Sequence, residues 1–254
     1  MKKAVRSAIK QAVFGKDFLI GLIAVFTVVL ASSFSDALEA LRTGGPLENG
    51  FHLQLIAGAL VSDAMVFALP VIAALPFAAS FVSDLKSGFL TYYLHRTSRR
   101  DYLAGRCVAC GLSGGLVFVL GTLVCCLISA PVFIPMEDTV SKAAAAPALY
   151  TGLLKSLALV FLSGVFWSLC GLTFAAATGS KYMAYASPFI LYYVLIILHE
   201  RYFKKLYVLY PKEWIRPSSP WMPGDIGVFL LLLGLAAAAG AVFFMTAQRR
   251  ISQL

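Results

Sequence analysis

The sequence predicts an all-α membrane protein of one domain. It has six transmembrane helices, an interfacial helix at the amino terminus, a short cytoplasmic helix between spans two and three, and short external helices between spans five and six. Four observations carry this expectation. Only 13% of the 254 residues are charged and 60% are hydrophobic, whereas a soluble domain carries about 25% charged residues. The mean hydropathy is +0.84. Six apolar runs, at 18–34, 55–81, 103–133, 149–178, 182–198 and 226–247, reach the roughly 17–25 residues a helix needs to cross the hydrocarbon core. The lysines and arginines between these runs are unevenly placed, as the positive-inside rule requires.

The first 16 residues, MKKAVRSAIKQAVFGK, are too polar and too ordered for a signal peptide. Val5, Ala8, Ile9, Ala12 and Val13 share one helical face, and Lys3, Arg6 and Lys10 share another, so a helix lying on the membrane surface is expected ahead of an uncleaved first span. Placing the amino terminus inside puts Lys86, Arg96, Arg99, Arg100, Arg106, Lys181, Arg249 and Arg250 in the cytoplasm with both termini. Arg201, Lys204, Lys205, Lys212 and Arg216 are then external, against the rule, which is a bias set mostly by the first anchors. The segment that holds them, 199–225, is rich in Tyr, Trp and Pro. Such residues favour the headgroup layer, so this loop is expected to rest in the interface as one or two short helices broken at Pro211 and Pro217, with Tyr210, Trp214 and Trp221 forming an external gate.

The net charge of +9 is that of a bacterial inner-membrane protein, and no nucleic-acid binding is expected. Cys107, Cys110, Cys125, Cys126 and Cys170 all fall in apolar runs, where thiols behave as small hydrophobes; no metal site is expected. No Walker A motif is present, since Gly179-Ser180-Lys181 lacks the preceding glycine, and no nucleotide hydrolysis by this chain is expected. Gly111-Leu112-Ser113-Gly114 is similar to the short serine signature of rhomboid proteases. A serine nucleophile needs a base, and His52, His95 and His199 fall in or beside polar connections. Gly111-x-x-x-Gly115 is better read as a small-residue face for close helix packing. Asp63 and Lys155 lie within the apolar runs of spans two and four. Each either snorkels to water near the outer face or makes an intramembrane polar contact.

Between 82 and 106 the chain reads VSDLKSGFLTYYLHRTSRRDYLAGR. Ser98-Arg99-Arg100-Asp101 fits a capping box that starts span three, with Asp101 at the positive end of the helix dipole. Upstream, Leu85, Phe89, Tyr92 and Tyr93 are interleaved with Asp84, Lys86 and His95 as in a short interfacial helix, and Gly88 permits close backbone approach. An acidic residue, a glycine four positions on, leucines and aromatics, a Ser-Arg pair, then Tyr-Leu and a basic residue resemble the first cytoplasmic loop of type-2 (export) ATP-binding-cassette permeases. Here those positions are Asp84, Gly88, Ser98-Arg99 and Arg106. Two positions depart from the pattern: Asp84 stands where glutamate is common, and Arg96 where proline is common.

The resemblance implies that 84–101 carries a coupling helix that docks in a cleft of a separate ATPase subunit through Asp84, Lys86, Gly88, Phe89, Tyr92, Tyr93, Arg96, Arg99, Arg100 and Asp101. It implies a second permease chain, identical or not, and surrounding membrane lipid. ATP and Mg would be used by the partner, with no cofactor bound by this chain and no catalytic residue. The competing expectation is a substrate-capturing membrane subunit of a vitamin-uptake system, which needs a polar pocket at the outer surface but no arginine-rich docking loop. An intramembrane protease ranks below both.

Overall fold

A computed structural model describes residues 2–45, 47–94, 98–137, 146–218, 220–221 and 224–253 of the chain. Among them all regular structure is helical, apart from one isolated β-bridge between Leu47 and Glu137. In chain order the helices are α1 (Lys2–Val13), α2 (Lys16–Thr43), α3 (Phe51–Leu60), α4 (Asp63–Ala74), α5 (Ser80–Lys86), α6 (Phe89–Leu94), α7 (Arg99–Phe133), α8 (Ala146–Thr178), α9 (Lys181–Ile197), α10 (Pro211–Ile215) and α11 (Asp225–Ile251). Five helices, α2, α7, α8, α9 and α11, are long and apolar enough to cross a membrane, and the pair α3 and α4 meets the same test jointly with a bend of 63° between them. The chain is therefore built as a multi-pass membrane protein.

That bend corrects the expectation of one continuous second span over 55–81. Ser62 ends α3 and restarts the chain as α4: its hydroxyl accepts the Met65 amide at 3.2 Å and its carbonyl accepts the Val66 amide at 3.0 Å. The break leaves Asp63 exposed at the first turn of α4 instead of within an apolar helix, which avoids the cost of a carboxylate in hydrocarbon. The first apolar run is likewise only part of its helix: α2 continues nine residues beyond 34, about 13 Å further at the usual rise.

Side-chain contacts sort the helix ends into two groups. Gln11 of α1, Asp84 of α5 and Arg106 of α7 meet at one end. There too Lys181 at the start of α9 donates to Ser83 at 2.8 Å, and Arg250 near the end of α11 donates to the Ala177 carbonyl of α8 at 2.6 Å. At the far end Leu47 donates to the Met136 carbonyl at 2.9 Å, and Lys212 reaches Asp63. The amino-terminal and carboxy-terminal helices thus share one end of the bundle.

α8 is the central helix. In its apolar stretch 67% is buried, against 22–33% in the other four long helices. Lipid supplies no hydrophobic drive between helices, so close contact must come from small residues. The small-residue face anticipated on α7 meets α8 directly. A methyl group at Gly114 would stand 2.4 Å from the Ser168 Cβ and 2.9 Å from the Ala73 carbonyl oxygen of α4, and one at Gly164 would stand 2.6 Å from the Gly114 carbonyl oxygen. α1 also packs onto the bundle: Ala8 and Ala12 are buried against it while Arg6, Lys10 and Phe14 stay exposed.

At the far end Glu137 forms a staple that the sequence did not announce. Its carboxylate accepts the backbone N–H groups of Gly50 at 2.9 Å and His52 at 3.0 Å, at the start of α3, and pairs with His52 Nδ1 at 2.7 Å. Burial pushes this carboxyl up, but the hydrogen bonds from the His52 ring and from the two amides outweigh it and hold Glu137 below the ordinary carboxylate value. A depressed folded value means that the stabilisation is present above the unfolded value of about 4.3 and is lost as pH falls through the folded one. Melting temperature followed from pH 7 to pH 3 should therefore fall further in the wild type than in Glu137→Gln. Parallel curves would show that the staple contributes nothing.

Candidate functional site

The connector between α4 and α7 holds most of the candidate docking residues. It begins with a turn at 75–79 and then runs through α5 and α6. Gly88 joins the two short helices at φ +73°, and nothing lies within 4 Å of the place where its Cβ would be. Within the chain its use is conformational, because a left-handed residue ends α5.

One side of the connector faces inward. Leu90 is buried, Tyr93 packs on Tyr102 of α7 with ring centroids 5.6 Å apart, and Phe89 packs on Tyr93 at 5.2 Å. Asp84 also turns inward. It forms an ion pair with Arg106 and accepts the Tyr102 hydroxyl at 2.5 Å. Arg106 in turn donates to Gln11 Oε1 at 3.0 Å and lies over the rings of Phe77 at 5.0 Å and Tyr102 at 5.4 Å. The Arg106 and Asp84 side chains are 6% and 14% exposed. This network ties α1, the connector and the start of α7 into one unit.

The other side is open. Tyr92 is 80% exposed and Phe89 44%, and Lys86, Arg99 and Arg100 are exposed as well. Ser98 caps α7 as anticipated, accepting the Asp101 amide at 3.2 Å. Of the ten candidate docking residues, Lys86, Phe89, Tyr92, Arg99 and Arg100 form an exposed aromatic and basic face with Asp101 half-buried beside it, while Asp84 and Tyr93 belong to the inner network. Arg96 and His95 lie outside the described residues. Behind the connector a cavity of about 310 Å³ is lined by Gln11, Asp17, Pro76, Asp84, Lys181 and Tyr185, among others.

The far end differs from expectation. Pro211 does not break a helix; it opens α10 at the first position, where its missing N–H costs nothing. Two rings of the aromatic segment are also buried against the chain itself. Trp214 is 2% exposed, packed against Phe166 at 5.5 Å and Trp167 at 5.8 Å of α8, with its indole N–H donating to the Val208 carbonyl at 2.8 Å. Trp221 is 9% exposed with its ring edge on Tyr207. The space between α4, α8 and α9 accepts the indole, and burial there satisfies both its ring and its N–H. Tyr210 stacks on His199 with centroids 4.5 Å apart.

Asp63 pairs with Lys212 of α10 at 3.0 Å, and its side chain is 87% exposed, so the pair is an exposed polar contact and not a buried one. Lys155 is half-buried in α8. The hydrogen bond to Asp63, opposed by partial desolvation, holds the Lys212 ammonium above the ordinary lysine value. Between the α3–α4 bend and α10 opens a cavity of about 710 Å³.

Among the described residues the serine motif meets no base, and His95 lies outside them. Ser113 is fully buried and donates to the Cys110 carbonyl at 3.1 Å, while His52 is held by Glu137 and His199 by Tyr210. Among the described residues no three His, Cys, Asp or Glu side chains form a group that could hold a metal ion. No family model and no curated protein matches the chain.

Proposed function

We propose that the chain is the permease subunit of a type-2 ATP-binding-cassette exporter in a bacterial cytoplasmic membrane. The chain crosses it six times, with α3 and α4 as one bent span and both termini cytoplasmic. It pairs with a second permease chain and couples to an ATPase subunit that binds ATP and Mg. The observation that supports this most is the two-sided connector. Its outer side presents Phe89, Tyr92, Lys86, Arg99 and Arg100, and its inner side is locked through Asp84 and Arg106 to α1 and α7. A partner that pushes the outer side would move α1, α5 and α7 together. Such a device serves alternating access, in which a partner's differential affinity for two conformations shifts their populations.

The test uses the chain co-expressed with an ATP-binding-cassette ATPase subunit, which the proposal expects in the neighbouring reading frame. Arg99→Ala with Arg100→Ala removes two charge-assisted contacts, each worth about 1.5–3 kcal/mol when desolvated. Tyr92→Ala removes the most exposed aromatic of the face. Both variants should melt like the wild type yet lose co-purification of the ATPase and stimulation of its turnover. If the arginines only anchor anionic headgroups, at about 1 kcal/mol each, insertion suffers and assembly does not. Intact assembly in both variants would end the exporter proposal. A second reading, a substrate-capturing subunit of a vitamin-uptake system, draws support from the far-end cavity, and retained ligand capture without any ATPase contact at the connector would favour it.

A further inference from the structure

α1 has two faces, and the bundle takes one of them. A helix that lies on a membrane ordinarily sinks its apolar side into the acyl boundary. Here that side is used inside the protein: Ala8 and Ala12 are buried, Ile9 and Val13 pack against the core, and α7 is the neighbour. The opposite side looks outward. Arg6, Lys10 and Phe14 recur every fourth residue, so they form one line along the helix surface, and all three are exposed. Phe14 continues the last turn, its N–H bonded to the Lys10 carbonyl at 3.1 Å, and it is 81% exposed. Two residues on, Lys16 opens α2, the first helix long and apolar enough to cross a membrane. Phe14 therefore stands where the chain enters the hydrocarbon. Among the described residues no ion pair joins Arg6 or Lys10 to a carboxylate. Asp84 is taken by Arg106, and Asp101 on α7 has a contact of its own. Over 2–17 the sequence sets Lys2, Lys3, Arg6, Lys10 and Lys16 against Asp17 alone.

We infer that α1 docks on anionic phospholipid through its basic side, along the line of Arg6, Lys10 and Phe14. Water alone suits the two cations but not a bare phenyl ring beside them, and acyl chains alone suit the ring but not the cations. The headgroup boundary of an anionic leaflet suits both, with negative headgroups against Arg6 and Lys10 and acyl carbon against Phe14. α1 is thus held by α7 on one side and by lipid on the other. Because Gln11 accepts from Arg106, the same helix joins the lipid contact to the buried ion pair of Asp84 and Arg106. The inference does not rest on an ATPase partner.

The test puts a reporter at the tip of the line. The full-length Phe14→Trp chain is reconstituted, without an ATPase, in phosphatidylcholine vesicles that carry a small fraction of brominated phosphatidylglycerol or of brominated phosphatidylcholine. Trp167, Trp214 and Trp221 belong to the far end, and their quenching, read in the wild type, is subtracted. Brominated phosphatidylglycerol should quench the residue-14 signal as though enriched there about fivefold or more over the zwitterionic lipid, the preference that one cation near the surface supplies. The preference should shrink as salt is raised, a readout that needs no second variant. Adding Arg6→Gln and Lys10→Gln should abolish the preference while quenching by both lipids persists. Arg249→Gln, which removes an exposed cation of α11 at the same end, should leave it intact. Equal quenching by the two lipids, no quenching by either, or a preference that survives the loss of Arg6 and Lys10 would each overturn the inference, and none of them bears on the connector's role.

Discussion

Arg106→Ala is expected to destabilise the protein by about 3–5 kcal/mol, the usual cost of removing one partner from a buried ion pair. The guanidinium is almost wholly enclosed, and four groups depend on it: the Asp84 carboxylate, the Gln11 amide oxygen, and the rings of Phe77 and Tyr102. Deleting it leaves a largely buried carboxylate with only the Tyr102 hydroxyl for company. Asp84→Ala should cost a similar amount for the converse reason. Replacing both, as Asp84→Leu with Arg106→Met, should recover much of the loss, because an apolar pair of similar volume carries no desolvation cost. Recovery should stop about 1–3 kcal/mol short, since Tyr102 and Gln11 then lack partners. Unfolding by SDS titration in mixed micelles reads all three. Single variants that lose less than about 1 kcal/mol would show the pair to be solvated and the α1–α5–α7 unit to be loose.

Gly114→Ala should be the most damaging single methyl in the bundle, at about 3 kcal/mol, the upper part of the range for overpacking. Its Cβ would meet the Ser168 Cβ and the Ala73 carbonyl oxygen, neither of which can swing aside without moving α8 or α4. Gly164→Ala should cost nearly as much, since the opposing atom is the Gly114 backbone oxygen. The double variant should cost less than the sum, because one separation of α7 from α8 relieves both clashes. Gly152→Ala is the control: it lies on the same α8 with nothing within 4 Å of its Cβ, and it should be neutral or stabilise by about 0.5–1 kcal/mol. The same SDS titration separates these outcomes. Equal stability of Gly114→Ala and Gly152→Ala would mean that the α7–α8 crossing is not set by small residues.

The candidate sites show where sequence pattern carries information and where it does not. The Ser98 cap is local, so three residues sufficed to anticipate it. The resemblance placed Asp84 among the residues that would face a partner, with Lys86 and Tyr92, which are exposed. The actual partners of Asp84, Tyr102 and Arg106, are 18 and 22 residues away, and a short irregular helix has no periodicity strong enough to say which face turns in. Trp214 has the same side chain whether it lies among headgroups or against Trp167. Only the space between α4, α8 and α9 decides between them. The Glu137 staple spans 85 residues to His52 and left no local trace.

By itself the sequence determined that this chain is a bundle of apolar helices, with an amphipathic helix first and a polar, arginine-rich connector before the third long run. Apolar length, helical periodicity and capping chemistry are set by neighbours along the chain. The tertiary structure decided the rest: the 63° bend that frees Asp63, the inward turn of Asp84, and the burial of Trp214. Each depends on a partner distant in sequence, and whether a polar or aromatic group is buried is fixed by what packing brings against it, not by the residues on either side.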